Sequence, residues 1–276
     1  MGEAKLKQYN RKSFLLEHRN CVYCGSLAVT TDHCPPRCFF IERKWPETYE
    51  FPCCKACNEE ARLDEQALSV VIRSSKSASS SGVGFEEWTR LLRGVRNNQP
   101  AILQEWGNTT ATSQKRFFRK VFGRTGDKLR YDGWGAVDLG PLTCAAIDRF
   151  MIKLAKAIYY RHTNKIFDGI IYAQHLNLMT MHSPDEFTQT LIKIAPLFAY
   201  SKRGKDSLVD QFIYRFNISE ERDALYAVVM FSDQFVFQLT LLSVDMAQKL
   251  EEKHREEGKS PRLEGKFVCR LRGDVR

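Results

Sequence analysis

The sequence predicts an α+β protein in which a small metal-held N-terminal module precedes a mainly helical region and a small C-terminal antiparallel sheet. Seven of the nine cysteines lie between Cys21 and Cys57. Apolar residues recur at helical spacing in several segments after residue 63, and strand-like apolar segments follow residue 211. We therefore place one module at residues 1–65 and a second, α+β domain at residues 66–276.

The composition is that of a globular protein with a basic surface. The chain has 276 residues, 43% of them hydrophobic, and a formal net charge of +9. Surplus lysine and arginine favour a polyanionic partner such as nucleic acid. The longest apolar run, Ala224–Phe231, is far shorter than the roughly 20 residues of a membrane helix. The N-terminus lacks the apolar core of a signal peptide, so we expect a cytoplasmic protein without a membrane partner.

The helical region is interrupted once. Helical spacing begins at Leu63 and is broken by the run SSKSASSSG at residues 74–82, which indicates a flexible loop. A second helix is predicted around residues 85–95, and the clearest helix spans Ile147 to Tyr159. A capping box with proline at the first helical position predicts a further helix from Ser183 to about Ala195.

The C-terminal part has the pattern of a sheet. Alternating apolar residues at 212–218 and two apolar runs flanking residues 232–234 predict three antiparallel strands, including a hairpin. A charged helix is expected near residues 245–257, followed by a basic tail.

Two C-x-x-C pairs, Cys21 with Cys24 and Cys54 with Cys57, predict a structural zinc site. Four thiolates complete the tetrahedral shell and leave no open position for a catalytic water. Cys53 makes the register of the second pair ambiguous, and Cys34 or Cys38 could compete for the ion. Only Cys54 leaves the two-residue loop that allows both sulfurs of the pair to reach one ion.

Asp32, His33 and Asn58 are the candidate catalytic residues. If zinc joins the two cysteine pairs, these three side chains are expected to converge. Carboxylate and amide oxygens from Asp32 and Asn58 suit Mg²⁺ or Mn²⁺, and the imidazole of His33 suits a general base. Alternatively, His33 is a zinc ligand or an ordinary surface residue, and Asp32 and Asn58 are capping or turn residues.

The same segment resembles the zinc-containing His-Asn-His (HNH) endonucleases. The resemblance covers about the first 65 residues and rests on the cysteine pairs, the D-H-x-x-P element and the asparagine after the last cysteine: Cys21, Cys24, Asp32, His33, Pro36, Cys54, Cys57 and Asn58. Asn58 is similar to the last ligand of the His-Asn-Asn variant. The middle asparagine of the family, which would fall near Tyr49, is missing here.

The resemblance implies a ββα-metal module and a metal-dependent hydrolysis of DNA phosphodiester bonds. His33 would activate water, and Mg²⁺ or Mn²⁺ on Asp32 and Asn58 would stabilise the transition state and the departing 3′ oxygen. The products would carry a 5′ phosphate and a 3′ hydroxyl. The resemblance also implies a setting in antiphage defence or in a mobile element.

A basic segment supplies a candidate nucleic-acid surface. Residues 115–130 carry seven lysines and arginines against one aspartate, interleaved with phenylalanines. We take Lys115, Arg116, Arg119 and Lys120 as phosphate-contacting candidates; a solvated basic face over an apolar stripe explains them equally well.

Two other functions remain open at this stage. The chain could be a zinc protein that binds nucleic acid without hydrolysing it, an alternative that the missing middle asparagine favours. It could also be a nuclease subunit that is silent until an ATPase or sensor protein binds the sheet at residues 211–242.

Overall fold

The structure is a computed structural model that describes residues 11–77, 82–108, 110–125, 127–128, 139–177, 184–232 and 235–256. Residues 11–17 are helical. The helices that follow are α1 (Lys55–Ser77), α2 (Val83–Asn98), α3 (Pro100–Gly107), α4 (Ala111–Phe122), α5 (Pro141–Thr163), α6 (Pro184–Ile194) and α7 (Val244–Glu256). The strands are β1 (Thr30–His33), β2 (Glu50–Cys53), β3 (Ile170–Asn177), β4 (Leu197–Ala199), β5 (Lys202–Arg203), β6 (Asp206–Ser207), β7 (Phe212–Ile218), β8 (Ala224–Phe231) and β9 (Phe235–Leu242). This mixture of helices and antiparallel strands confirms the predicted α+β class in outline.

In the N-terminal part, two strands precede a helix. β1 and β2 pair antiparallel, with Asp32 opposite Phe51 and His33 opposite Glu50, and α1 begins two residues after β2. Successive side chains of a strand point to opposite faces. Asp32 therefore points into the protein and is 5% exposed, whereas His33 points away and is half-buried.

Helix α5 is the centre of the core and confirms the helix predicted at Ile147–Tyr159. Phe150 contacts Phe39 of the N-terminal part and Phe237 of the sheet, with ring centroids 5.1 and 6.0 Å apart. Burial of one such phenylalanine contributes on the order of 2–3 kcal/mol. One cluster of buried side chains joins Phe51 to the sheet through α5, so the parts divided at residue 65 share a core. That boundary lies inside α1.

The large sheet has the order β3-β9-β8-β7-β4, and all its neighbouring strands are antiparallel. Strands β7, β8 and β9 confirm the three predicted strands. The edge strands β3 and β4 were not predicted. β4 has only three residues, too few to show an alternation, and β3 contains polar residues, Gln174 and Asn177, within its apolar run.

The loop predicted at residues 74–82 is partly wrong, because α1 continues to Ser77. The hydroxyl of Ser74 donates to the carbonyl oxygen of Val71 at 2.7 Å, so this serine is accommodated within the helix. Residues 78–81 lie outside the described part. So do Ser183 of the predicted capping box and the basic tail after Glu256. Within the described ranges, no helix is long and apolar enough to cross a bilayer.

His162, near the end of α5, is a partly buried contact with the sheet. Its Nε2 lies 2.8 Å from the hydroxyl oxygen of Tyr214, and its ring stacks on Phe216 at 3.9 Å. Burial, reinforced by the charge of Arg161, lowers the pKa of His162 from 6.5 to about 4. Between these values the unfolded chain binds the additional proton, so the free energy of unfolding should fall as the pH drops from 6.5 towards 4.

We expect His162→Gln, which keeps a hydrogen-bonding group and does not titrate, to reduce this loss of stability. Urea unfolding of both proteins at about pH 7 and about pH 5 measures the difference. An identical pH dependence in the two proteins would show that His162 is not a source of it.

Candidate functional site

Four cysteines form a compact cluster at the start of the described chain. The sulfur atoms of Cys21, Cys24, Cys54 and Cys57 all lie within 4.8 Å of one another, and those of Cys24 and Cys54 are 3.7 Å apart. A tetrahedral zinc ion with Zn–S bonds of about 2.3 Å requires sulfur separations of about 3.8 Å. The geometry of the cluster is therefore consistent with zinc, as the spacing predicts.

The first cysteine pair lies in a tight turn. The amide of Gly25 donates to the carbonyl oxygen of Cys21 at 2.8 Å. The amide of Cys21 donates to the carbonyl oxygen of Ser26 at 2.6 Å. Gly25 has a φ of 77°, a conformation that glycine adopts without the strain of a side chain. The turn brings both sulfurs of the pair to the same side.

The second pair lies at the start of α1, where the amide of Cys57 donates to the sulfur of Cys54 at 3.4 Å. Amides at a helix N-terminus favour the thiolate form, which is the form that binds zinc. Cys53 lies outside the cluster and its sulfur faces the carbonyl oxygen of Cys54 at 3.3 Å. The structure thus resolves the register ambiguity in favour of Cys54.

The two other nearby cysteines are also separate from the cluster. Cys34 is 1% exposed, and the sulfur of Cys38 donates to the carbonyl oxygen of Glu65. Burial raises the pKa of Cys34, and it raises that of Cys38 to about 12. Both therefore remain protonated thiols in the apolar interior.

Asp32 belongs to a buried ion-pair cluster with groups that sequence reasoning missed. Its Oδ2 accepts a hydrogen bond from the Tyr23 hydroxyl at 2.5 Å and lies 2.8 Å from Nζ of Lys153 on α5. The same ammonium bonds to Oε1 of Glu65 on α1. Burial raises the pKa of Glu65 to about 7. Burial alone would lower the pKa of Lys153, but Asp32 and Glu65 together raise it above its ordinary value.

These surroundings do not fit a Mg²⁺ or Mn²⁺ ion on Asp32. Such an ion retains several waters and requires open oxygen ligands. Asp32 is 5% exposed, and a second cation would lie beside the ammonium of Lys153. A cavity of about 220 Å³ borders Lys153 and Glu65, and Asp32 is not among its lining residues.

His33 faces a different space, a cleft of about 770 Å³. The cleft is lined by Arg11, Phe14, Thr30, Thr31, His33, Arg37, Trp45, Glu50 and Arg203. Nε2 of His33 lies 2.7 Å from Nη2 of Arg37, and its ring meets Trp45 edge-on at 5.1 Å. Guanidinium nitrogens only donate hydrogen bonds, so Nε2 accepts and the proton of the neutral ring is on Nδ1. Burial, together with the charge of Arg37, lowers the pKa of His33 below 6.5.

The expected convergence of the three candidate residues is not what the structure shows. Asp32 and His33 lie on opposite faces of β1, because adjacent strand residues alternate. Asn58 lies in the first turn of α1 and is partly buried; its amide donates to the carbonyl oxygen of Cys54 at 3.3 Å. Within the described part of the chain, its side chain makes no hydrogen bond to Asp32 or His33. The catalytic roles assigned to the three residues stay predictions.

The basic candidates lie together on α4. Lys115, Arg116, Arg119 and Lys120 are exposed, and Phe118 between them is buried. Arg119 forms a two-pronged ion pair with Asp127, with its Nη2 at 3.0 Å from Oδ2. This arrangement suits both alternatives of the sequence analysis, a phosphate-binding face and a solvated basic face.

The cleft contains groups that the sequence did not single out. Arg37 lies four residues after His33, and that short separation was the one available signal. No local pattern in the sequence pointed to Trp45 or Arg203. Arg203 belongs to the β5–β6 hairpin, which is distant from His33 along the chain. Comparison with protein-family models, with curated proteins and with solved structures finds no match.

Proposed function

We propose that the chain is an HNH-type nuclease that hydrolyses phosphodiester bonds of DNA in the cleft at His33. The observation that carries the proposal is a neutral histidine at an arginine-lined cleft, on a strand tied to a four-cysteine cluster. The order of two strands and a helix around that cluster supports a ββα-metal module. The proposal includes a structural zinc ion on the four cysteines and a cytoplasmic setting, where thiolates stay reduced.

The chemistry assigned to His33 is proton transfer. Nε2 takes a proton from water, the hydroxide oxygen bonds to phosphorus, and the bond from phosphorus to the 3′ oxygen breaks with its electrons on that oxygen. The proton taken by His33 returns through solvent to the 3′ oxygen, which regenerates the neutral base and gives the products, a 5′ phosphate and a 3′ hydroxyl. Arg37 now donates to Nε2, so the reaction requires its guanidinium to release Nε2 in favour of a phosphate of the bound strand. A neutral ring is ready to accept the proton, and a phosphate offers the guanidinium two oxygens.

No step is assigned to a divalent cation on Asp32 and Asn58, because Lys153 already neutralises Asp32. The same observation favours a second candidate function, a zinc protein that binds nucleic acid without cleaving it. In that case the arginine-lined cleft binds phosphates, and His33 only orients Arg37.

A plasmid-cleavage assay on the zinc-loaded protein, with Mg²⁺, Mn²⁺ or chelator, tests the proposal. We expect His33→Ala to reduce the rate at least about 100-fold, the usual range for loss of a general base. The acid limb of the pH–rate profile should lie below pH 6.5, following the lowered pKa of His33. His18→Gln is the control, because His18 does not itself line the cleft; its Nδ1 contacts the hydroxyl of Tyr160, and its ring contacts Phe14 of the lining.

Cleavage by His33→Ala at the unaltered rate would remove His33 from the mechanism. Binding of DNA by the unaltered protein without cleavage under any of these conditions would establish the second candidate function.

A further inference from the structure

Two arginines cover both faces of Trp45 at the edge of the His33 cleft. The guanidinium carbon of Arg37 lies 3.8 Å from the centroid of the Trp45 ring, and that of Arg203 lies 3.7 Å from it. Two planar guanidinium groups cannot both lie this close to one face of a ring without overlapping. They therefore lie on opposite faces, and Trp45 holds them apart as a spacer.

Arg203 is held in place by the chain around it. Its Nη1 donates to the carbonyl oxygen of Trp45 at 3.2 Å. The β5–β6 hairpin is tied to the same loop, because the amide of Glu47 donates to the carbonyl oxygen of Lys202 at 3.0 Å and the amide of Gly204 donates to Oε1 of Glu47 at 2.8 Å. Gly204 has a φ of 59°, which permits the tight turn of the hairpin.

The cleft has more positive than negative charge. Arg11, Arg37 and Arg203 line it, and Glu50 is the one carboxylate among the described lining residues, so these residues leave two positive charges when His33 is neutral. Within the described ranges, none of the three arginines forms an ion pair with a carboxylate. Nε of Arg37 is buried and has no hydrogen-bond acceptor among the residues that the structure describes. Cations gathered in this way repel one another, and an anion bound beside them offsets that repulsion.

We propose that Arg37 and Arg203, held on the two faces of Trp45, are a clamp for a phosphate of the nucleic-acid backbone next to the phosphodiester at His33. Planar guanidinium groups match the oxygens of a phosphate in two-pronged geometry. Arg37 touches His33, so a phosphate on the clamp lies beside the proposed reaction centre. The cleft of about 770 Å³ has room for the sugar and base attached to that phosphate.

The clamp binds backbone rather than bases. Both faces of Trp45 are covered by guanidinium groups, so this ring is not free to stack on a nucleobase. Recognition through the clamp is therefore independent of sequence and depends on salt. This inference rests on the proposed function, of which it names the substrate contact.

The test measures DNA binding separately from cleavage. The affinity of the full-length, zinc-loaded His33→Ala protein for a short labelled oligonucleotide is measured by fluorescence anisotropy over a series of salt concentrations. In this background we expect Arg203→Gln to weaken binding by about tenfold and to reduce the slope of log K against log salt by about 1. Arg203→Lys, which keeps the charge and loses the planar fork, should recover part of the affinity.

Lys205→Gln is the matched control, because it removes the same charge from the same hairpin at an exposed position outside the cleft lining. It should leave the affinity and the slope nearly unchanged. Trp45→Leu, checked for its thermal unfolding, removes the spacer and should weaken binding as much as Arg203→Gln does.

Equal affinity and slope in the Arg203→Gln protein would overturn the clamp, whatever the cleavage assay shows. Stabilisation by inorganic phosphate or pyrophosphate that depends on Arg203, without any oligonucleotide binding, would assign the clamp to a small phosphate compound and also overturn the proposal. If the Arg203 variants change DNA binding as expected but the unaltered protein does not cleave DNA, the proposed nuclease activity is rejected and the clamp is retained.

Discussion

Replacement of Cys57 by serine is expected to abolish zinc binding and to unfold the cysteine-containing N-terminal region. The cluster joins a turn at Cys21 to the start of α1, and the two-stranded sheet between them is too short to hold its own fold. A structural zinc ion supplies on the order of 10–16 kcal/mol in small zinc modules. Zinc per chain by elemental analysis, the thermal unfolding temperature and limited proteolysis around residues 20–57 measure the effect.

Two cysteines outside the cluster provide the controls. Cys53→Ala and Cys38→Ser should both keep zinc, because neither sulfur belongs to the cluster of four, although that of Cys53 also contacts the sulfur of Cys21. The large sheet should stay folded in Cys57→Ser, since its five strands pair with one another and not with β1 or β2. If Cys53→Ala loses zinc and Cys54→Ala retains it, Cys53 rather than Cys54 is the zinc ligand.

Replacement of Lys153 by methionine is expected to destabilise the protein by about 3–5 kcal/mol, the usual result of removing one partner of a buried ion pair. Lys153 is 9% exposed and balances Asp32 and Glu65 together. Without the ammonium, the hydroxyl of Tyr23 is the one remaining side-chain partner of Asp32 among the described residues. The charge of Asp32 also repels any charge on Glu65, whose pKa burial already raises to about 7. Urea unfolding near neutral pH measures the change.

Lys193→Met is the matched control for charge and size, because Lys193 is exposed at the end of α6. It should change the free energy of unfolding by less than about 0.5 kcal/mol. The double replacement Lys153→Met with Asp32→Asn should recover part of the lost stability, since it removes the unpaired charge. A change in Lys153→Met no larger than that of the control would show that the pair is unimportant for stability.

The buried pair also explains the orientation of His33. Lys153 holds Asp32 on the inner face of β1, and a shift of the strand by one residue would exchange its inner and outer faces. His33 is therefore kept on the outer face, towards Arg37 and the cleft. Asp32 and His33 are thus neighbours on one strand with different roles. Asp32 contributes to stability through its ion pair, and its position keeps the candidate base His33 on the face towards the cleft.

Several features were predictable because they depend on residues close together in the sequence. The two-residue loops between the cysteines allow each pair to direct both sulfurs to one ion, and the apolar period of Ile147–Tyr159 specifies a helix with a buried face. The alternation at residues 212–218 and the two apolar runs that follow it likewise specify β7, β8 and β9. The edge strands β3 and β4 and the continuation of α1 to Ser77 had no comparable local signal.

The sequence by itself determined the cysteine cluster, the main helices and the three central strands, since short-range spacing and polarity are sufficient for each of them. Only the tertiary structure decided the surroundings of the candidate site: Lys153 beside Asp32, and Arg203 over Trp45 in the cleft of His33. These partners lie far from the N-terminal part along the chain, and the packing of α5 and of the β5–β6 hairpin brings them there. A buried charge is stable only where an opposite charge reaches it, and the identity of that partner depends on long-range packing.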